Sequence, residues 1–188
     1  MKTERLHQIS QQEIELNQID CGEYILDIGG GGEGIISKLH GQKVISIDID
    51  EDELSEAGSD ALKIVMDAGN LGFFDSLFSS VTSFFTLMYI DRKDRKRVFE
   101  EVHRVLKPNG TFEIWDVTIP EPIENEEDVF VVPLKVKLPD ETIETGYGVS
   151  WNGKEQDIDY YRMLAKEKGF NITESKRQNE IFYLRLKK

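Results

Sequence analysis

Apolar residues along this chain fall into short runs separated by segments with helical spacing, and the stretch from residue 24 to residue 39 shows the pattern best. Tyr24–Ile28 is short and largely apolar, which predicts a buried strand. Gly29–Gly34 breaks this run, and Ile35, Ile36 and Leu39 then resume at helical spacing. A glycine turn between a strand and a helix suits a nucleotide-like cofactor, because glycine lets a ligand come close and the helix start offers unpaired N–H groups. A tight crossover turn without a ligand is the alternative.

The same alternation continues through the middle of the chain. Short buried strands are predicted at 43–48, 61–67, 81–87 and 111–117, with a short acidic helix at 50–57. A longer helix is predicted from Arg92 to Leu106. Its apolar residues form one stripe: Val98, Phe99, Val102, Val105 and Leu106. Strands and helices that alternate at this length predict an α/β fold with a doubly wound, mostly parallel sheet covered on both faces.

The pattern changes in the last third of the chain and differs again at the start. Apolar and polar residues alternate over Val129–Ser150, on both sides of a Pro-Asp pair, which predicts an inserted β-hairpin. A helix at 157–168 and an antiparallel strand pair at 170–175 and 181–186 are predicted to follow. Residues 1–20 carry an imperfect helical pattern and predict an N-terminal helical segment. A length of 188 residues is most simply one domain, residues 1–188.

Charge and composition narrow the classes of function. The formal net charge is −13, so the surface repels phosphate backbones and a nucleic-acid substrate is disfavoured. The basic run Arg92–Arg97 is read as the solvated face of a helix. Cys21 is the single cysteine, and the three histidines lack metal-ligand spacing, so no metal site is predicted. We expect a cytoplasmic protein, because no run is long enough to span a membrane and the first ten residues are polar rather than signal-like.

Three acidic residues lie in or at the ends of predicted strands. Asp48 ends the second strand, about twenty residues past Gly29, where a carboxylate can accept hydrogen bonds from both ribose hydroxyls. Capping the helix that follows is its alternative role. Asp67 ends the third strand and suits either an exocyclic adenine amine or the start of the following turn. Asp27 lies inside the first strand, where a buried carboxylate needs loop amides or a cationic ligand.

These motifs together resemble the class I S-adenosylmethionine-dependent methyltransferases over most of the chain. Ile25–Gly34 resembles the first motif of that family, Val44–Asp48 its ribose-binding strand and Met66–Leu71 its adenine-binding turn. Arg104–Gly110 is similar to the turn before the fifth strand, a signature that nucleotide dehydrogenases lack. The resemblance implies a seven-stranded, Rossmann-like sheet of order 3-2-1-4-5-7-6, closed by an antiparallel pair, and S-adenosyl-L-methionine as the cofactor.

The resemblance also implies roles for individual residues. Gly29 and Gly31 would let the turn approach the methionine part of the cofactor, and Asp27 would support its ammonium group. Asp48 would hold the ribose, and Ile49 would pack on the adenine. Asp67 and the Ala68 amide would form hydrogen bonds with the edge of the adenine. Carbonyls near Thr86 and Leu87 would hold the amino-acid end of the cofactor.

Two positions depart from the family pattern: the glycine turn, and the place before the fourth strand, where Ser79 or Ser80 replaces the usual acid. Glu33 stands where the family usually has a third glycine, and Gly34 follows one residue later. The turn is therefore either longer than usual or carries the Glu33 carboxylate beside the cofactor.

The methyl acceptor is harder to predict, because transfer from a sulfonium requires positioning and exclusion of water but no obligatory base. We expect Tyr89 and Asp116 to be the catalytic residues and the acceptor to be a small molecule. Asp91, Tyr147 and Trp151 are further candidates; helix capping is the alternative for Asp91, and core or dimer contacts are the alternative for the other two. The hairpin at 129–150 is either a lid over the substrate or an edge that forms a homodimer.

Two other functions remain open from the sequence. One is a non-catalytic S-adenosylmethionine-binding partner or sensor protein, which the altered glycine spacing leaves open. The other is an NAD-dependent oxidoreductase, which the Arg104–Gly110 signature disfavours.

Overall fold

The computed structural model describes residues 5–58, 60–122 and 128–188, and these form two β-sheets and four α-helices. In chain order the elements are β1 (Leu6–Gln8), β2 (Gln12–Glu15), β3 (Ile25–Ile28), α1 (Ile35–His40), β4 (Val44–Asp48), α2 (Glu51–Glu56), β5 (Leu62–Val65), β6 (Phe78–Phe84), α3 (Arg92–Val105), β7 (Leu106–Val117), β8 (Val129–Lys137), β9 (Thr142–Ser150), α4 (Ile158–Glu167), β10 (Asn171–Gln178) and β11 (Ile181–Lys187).

The larger sheet has seven strands in the order β5-β4-β3-β6-β7-β11-β10. The five strands from β5 to β7 in this order are parallel, whereas β11 is antiparallel to both β7 and β10. Numbered within the sheet, this is the order 3-2-1-4-5-7-6, so the predicted fold class is confirmed. The strand order reverses between β3 and β6, and a crevice at such a reversal is where doubly wound sheets bind ligands.

One face of this sheet packs against α3 and α4. Val98, Phe99, Val102 and Val105 of α3 are buried against strand residues such as Phe112, as the apolar stripe predicts. Each fully buried side chain of this kind contributes about 1.5–3 kcal/mol. The α4 helix begins at Asp157, whose side chain caps it, and ends before Gly169 at φ 85°, again as predicted.

The opposite face is covered by α1 and by the second sheet. In that sheet β9 pairs antiparallel with one edge of β8, which confirms the predicted hairpin at 129–150. Phe130, Val132, Leu134 and Val136 alternate with less buried residues and share one core with Trp115 of β7. The hairpin is thereby fastened to the main sheet rather than projecting from it.

The predicted N-terminal helical segment over residues 1–20 is wrong. Residues 1–4 lie outside the described part, and the others contain β1 and β2, which pair in parallel with the second edge of β8. Ile14 and Leu16 are buried while Glu13 and Glu15 are exposed, which is the period of a strand. The open edge of β8 supplies hydrogen-bond partners, and these favour strands over a helix in this segment. None of the described helices is both long and apolar enough to cross a membrane.

Candidate functional site

The glycine turn after β3 is held close to two neighbouring strand ends. The amides of Gly29 and Gly30 donate to the carbonyl of Ile47 at 2.8 and 3.0 Å. Gly29 has φ 69°, and a Cβ at this position would lie 2.2 Å from the Thr86 side chain, just beyond β6. Only glycine fits such a position, because both the backbone angle and the available space exclude a side chain.

The next part of the turn lies against the end of β4. A Cβ at Gly31 would come within 3.0 Å of Asp48 Oδ2 and 2.7 Å of Glu53 Cβ. The structure therefore places the predicted methionine-side glycine beside the predicted ribose acid. Asp48 does not cap α2: Asp50 does, accepting from the amides of Asp52 and Glu53. The Asp48 Oδ1 atom accepts instead from the amide of Asp50 at 3.1 Å.

Asp27 is buried beneath the glycine turn, with only 2% of its surface exposed. Its carboxylate accepts a hydrogen bond of 2.7 Å from the Thr82 hydroxyl, which was not foreseen from the sequence. Burial raises the pKa of Asp27 to about 7, the Thr82 hydrogen bond opposes this, and the charge of Asp48 adds to it. The loop amides of Gly29 and Gly30 bond Ile47, so the expectation that loop amides hold Asp27 is not met.

The adenine-side candidates lie at the ends of β4 and β5. The amide of Met66 donates to the Asp48 carbonyl at 2.8 Å, which ties these two strand ends together. Asp67 Oδ1 accepts from the amide of Gly69 at 2.8 Å, so Asp67 does start the following turn. Ile49 is 74% exposed, which leaves an apolar side chain open beside Asp48. Ala68 lies half-buried within the turn that Asp67 begins.

The segment after β6 forms a short 3-10 turn over Leu87–Tyr89. The carbonyl of Thr86 accepts from the amide of Tyr89 at 3.0 Å, and that of Leu87 accepts from Ile90 at 3.2 Å. Each carbonyl oxygen has a second lone pair and can accept another hydrogen bond. The Leu87 side chain is fully buried, so this part of the turn is anchored in the core.

Asp116, predicted to be catalytic, is fully buried at the end of β7. Its carboxylate accepts from the amides of Met88 at 3.2 Å and Val117 at 2.8 Å, and from the Gln156 side chain at 2.7 Å. Burial raises its pKa to about 6, and these hydrogen bonds act in the opposite direction. The bond from the Met88 amide ties Asp116 to the turn that carries Tyr89.

The hairpin reaches over the glycine turn through Glu33. The Glu33 carboxylate accepts hydrogen bonds from the hydroxyls of Thr145 and Tyr147 on β9, the second at 3.1 Å. The Tyr147 ring also stacks on Phe85, with ring centroids 5.3 Å apart. Burial, together with the charge of Glu33, raises the pKa of Tyr147 well above its usual range. The departure from the family glycine pattern therefore ties the turn to the hairpin.

Tyr89 also lies close to the hairpin, as the groups that affect its pKa show. Burial and the charge of Asp116 raise the pKa of Tyr89, and the amide of Gly148 on β9 acts in the opposite direction. Tyr89 therefore lies between the turn after β6 and the hairpin. Lys154 Nζ donates both to the Tyr89 carbonyl and to the Asp91 carboxylate, each at 2.6 Å, so this lysine links Asp91 to the Tyr89 turn. Trp151 is buried and donates to the Pro120 carbonyl.

Taken together, the sheet order and the glycine turn beside Asp48 define a Rossmann-like fold with a glycine turn at the strand reversal, the place where sheets of this kind bind ligands. Residues 26–114 match the family model of a methyltransferase domain. The matched residues, a little under half of the chain, support the resemblance to the class I S-adenosylmethionine-dependent methyltransferases, a family whose cofactor is S-adenosyl-L-methionine. This match favours the methyltransferase prediction over the NAD-dependent oxidoreductase.

Individual proteins resemble parts of the chain or its fold. A sterol 4-C-methyltransferase of Caenorhabditis elegans is 32% identical over 124 residues, which is 60% of this chain and 35% of that protein. An uncharacterized protein of Methanocaldococcus jannaschii is 29% identical over 104 residues, 55% of this chain and 41% of that protein. The chain thus spans well under half the length of either relative. A SAM-dependent methyltransferase structure from Methanosarcina mazei has a TM-score of 0.66 at 22% identity, covering 92% of this chain and 99% of that one.

Proposed function

We propose that this chain transfers a methyl group from S-adenosylmethionine to a small-molecule acceptor. One observation carries the proposal: Gly29 lies against Thr86 while Gly31 lies against Asp48, so residues 29–32 cross the reversal point of the sheet without side chains. The Asp48 carboxylate lies beside this bare stretch of backbone. That combination fits an adenosyl group with a cationic sulfur.

The proposed contacts with the adenosyl part of the cofactor involve residues at the ends of β4 and β5. Asp48 accepts from the ribose hydroxyls, and the exposed Ile49 packs on the adenine, which would cover its apolar surface. Asp67 and the Ala68 amide read the adenine edge, although the Gly69 amide occupies one carboxylate oxygen of Asp67. The second oxygen of Asp67 serves that contact.

The methionine part lies along the glycine turn. The bare backbone of residues 29–32 lines it, and the carbonyls of Thr86 and Leu87 accept from its ammonium group with their second lone pairs. Asp27 lies beneath the turn, and the positive charge of the ammonium group favours ionisation of its carboxyl. Glu33 borders the methionine part of the cofactor on the side of the hairpin.

On the acceptor side, Tyr89 and Tyr147 face the region between the turn after β6 and the hairpin. S-adenosylmethionine supplies an activated methyl group, so the residues of the chain orient the acceptor and exclude water. The bonds from Glu33 to Thr145 and Tyr147 support a lid role for the hairpin. In this proposal Tyr89 contacts the acceptor, and Asp116 acts by holding the backbone of the Tyr89 turn.

The acidic surface supports a small-molecule acceptor over nucleic acid, because a net charge of −13 repels phosphates. We place the protein in the cytoplasm. Within the described residues β9 pairs only with β8, so its outer edge could also join a second copy in a homodimer. Light scattering coupled to size exclusion tests that arrangement.

Calorimetry with S-adenosylmethionine, its demethylated product and NAD tests the proposal. We expect the first two to bind, and Asp48→Ala to weaken both by about tenfold or more, since a pair of charge-assisted hydrogen bonds is lost. Glu51→Gln, an exposed acid on α2, is the matched control and should bind like the wild type. Absence of S-adenosylmethionine binding would overturn the proposal. Binding without methyl release to any acceptor of a metabolite panel would support the non-catalytic alternative.

A further inference from the structure

Arg95 is a buried cation that the proposed methyl transfer does not use. It lies in the first turn of α3 and is fully buried. Its side-chain nitrogen atoms donate to main-chain carbonyls, Nε to Ile90 at 3.0 Å, Nη1 to Glu155 at 3.1 Å and Nη2 to Lys154 at 3.3 Å. Ile90 follows the Tyr89 turn (Leu87–Tyr89), whereas Lys154 and Glu155 follow β9. The guanidinium therefore joins two segments that are far apart in the chain.

Two aromatic rings lie close to the same guanidinium. Arg95 Cζ lies 5.7 Å from the centroid of the Tyr160 ring and 5.8 Å from that of Tyr161, both on α4. Cations within about 6 Å of a ring centroid are attracted to the ring. Arginine suits the position because its planar cation can lie against rings while it directs several N–H groups to fixed acceptors. These contacts hold the Arg95 side chain in one place, so the carbonyls of Lys154 and Glu155 are fixed as well.

Lys154 makes a second connection between the same two segments, in the opposite direction. Its main-chain carbonyl accepts from Arg95, whereas its ammonium group donates to the Tyr89 carbonyl and to Asp91 Oδ1, each at 2.6 Å. The Lys154 side chain is only 13% exposed. Hydrogen bonds from a charged donor are stronger than those between neutral groups. The main chain of Tyr89, the residue proposed to contact the acceptor, is therefore held directly by a cation.

Gln156 adds a third connection, through the end of β7. Its side-chain nitrogen donates to Asp116 Oδ1 at 2.7 Å. Asp116 Oδ2 accepts in turn from the amide of Met88, within the Tyr89 turn, at 3.2 Å. Residues 154–156 thus hold the Tyr89 turn at three places. Of the side chains that make these connections, that of Lys154 lies nearest the surface, so it can be replaced without a cavity in the core.

We propose that Lys154 is a positioning residue for methyl transfer, which fixes the main chain of Tyr89 so that the Tyr89 side chain faces the acceptor. This inference rests on the proposed function, because Tyr89 transmits the effect to the acceptor. Lys154 does not act on the cofactor, since its bonds within the described residues involve neither the glycine turn nor Asp48. Loss of its ammonium group should therefore impair use of the acceptor and leave binding of S-adenosylmethionine unchanged.

Lys154→Met removes the ammonium group and retains most of the apolar side chain. In the full chain labelled with fluorotyrosine, we expect the fluorine NMR signal of Tyr89, assigned with Tyr89→Phe, to shift or broaden in this variant. The amides of Tyr89 and Ile90 should exchange about tenfold faster, because the peptide between them loses its cation. Lys154→Gln, which is also uncharged, takes its place if thermal melting shows that Lys154→Met does not fold.

Lys93→Met is the matched control. Lys93 also lies beside Asp91, at 3.9 Å, but its side chain is 77% exposed and, among the described residues, donates to no carbonyl of the Tyr89 turn. This control should match the wild type in both NMR measurements. Equal changes in Lys93→Met and Lys154→Met, or an unchanged Tyr89 signal in the latter, would overturn the positioning role.

Kinetics separates the positioning role from a merely structural one. With an acceptor found in the metabolite panel, kcat/KM should fall about tenfold in Lys154→Met, while the Kd for S-adenosylmethionine changes by less than about twofold. Equal losses for acceptor and cofactor would contradict the proposal. If the wild-type chain does not bind S-adenosylmethionine, the proposed function fails, whereas the fluorine signal still shows whether Lys154 fixes Tyr89.

Discussion

Glu33 and Tyr147, which are 114 positions apart in the chain, are joined by a hydrogen bond of 3.1 Å from the tyrosine hydroxyl to the carboxylate. This bond connects the glycine turn to the hairpin strand β9, and Thr145 adds a second bond to the same carboxylate. The hairpin is therefore held over the proposed cofactor site by the one residue that departs from the family glycine pattern.

Glu33→Gln should loosen the hairpin. A glutamine offers one acceptor oxygen instead of two and no charge, so about 1.5 kcal/mol of hydrogen bonding is lost. Hydrogen exchange of the β9 amides should become about tenfold faster, and the KM for a methyl acceptor should rise more than the Kd for S-adenosylmethionine. Glu144→Gln on the same strand is the control, because its carboxylate pairs with Lys135 instead. Equal exchange rates in the two variants would show that the Glu33 hydrogen bonds do not hold the hairpin in place.

Gly29→Ala should destabilise the chain by about 2–4 kcal/mol. The backbone there has φ 69°, and the new methyl group would meet the Thr86 side chain. Gly153→Ala separates the two causes, because Gly153 has φ 76° but no atom within 4 Å of an added Cβ. Strain alone should cost about 1 kcal/mol in that variant. Urea unfolding measures both free energies, and similar values would contradict the close packing of the turn.

Stability should fall as pH rises from about 4 to about 7, because of Asp27. Burial raises its folded-state pKa to about 7, well above the ordinary value for an aspartate, so the folded chain keeps a proton that the unfolded chain has released. In that window the free energy of unfolding decreases by up to about 1.4 kcal/mol per pH unit for one such group. Asp116, with a pKa raised to about 6, acts with the same sign.

Asp27→Asn isolates the first contribution. The asparagine cannot ionise, so unfolding free energies measured between pH 5 and pH 8 should decline less steeply than in the wild type. An unchanged slope in the variant would show that Asp27 ionises normally in the folded chain.

Asp116→Ala should destabilise the chain by about 2–4 kcal/mol, since the amide of Met88 and the side chain of Gln156 lose a buried acceptor. Asp91→Ala removes an exposed carboxylate paired with Lys154 and should cost less than about 1 kcal/mol. Urea unfolding compares the two. If Asp116→Ala were as stable as the wild type yet inactive, Asp116 would be catalytic rather than positioning.

Local periodicity in the sequence was sufficient to predict the strands of the main sheet and the helices that cover it. The stripe on α3 and the apolar runs of β3 to β7 repeat within a few residues, so each can be read without knowledge of the rest of the fold. The prediction of a helix over residues 12–16 was wrong for two reasons. The alternation of Ile14 and Leu16 is too short to distinguish a strand from a helix, and the partner strand β8 is far away in the chain. Pairing across such a separation leaves no local signal.

The candidate site also contains residues whose position follows from the sequence and residues whose surroundings do not. Gly29, Gly31 and Asp48 follow from their positions at strand ends, and the structure brings them together. Asp116 also lies at a strand end, but the partners that bury it, Met88 and Gln156, come from distant segments. Strand-end position therefore shows where a carboxylate lies along the sheet, whereas its burial depends on what packs above it.

The parallel pairing of β2 with β8 has a consequence for how the chain matures. Gln12 lies opposite Leu134, so β1 and β2 cannot dock until the hairpin has been synthesised. Pairings between such distant residues form slowly, because a long loop must be closed first. Strands β1 and β2 are thus expected to join a scaffold already assembled from β3 to β7, once β8 has emerged to receive them.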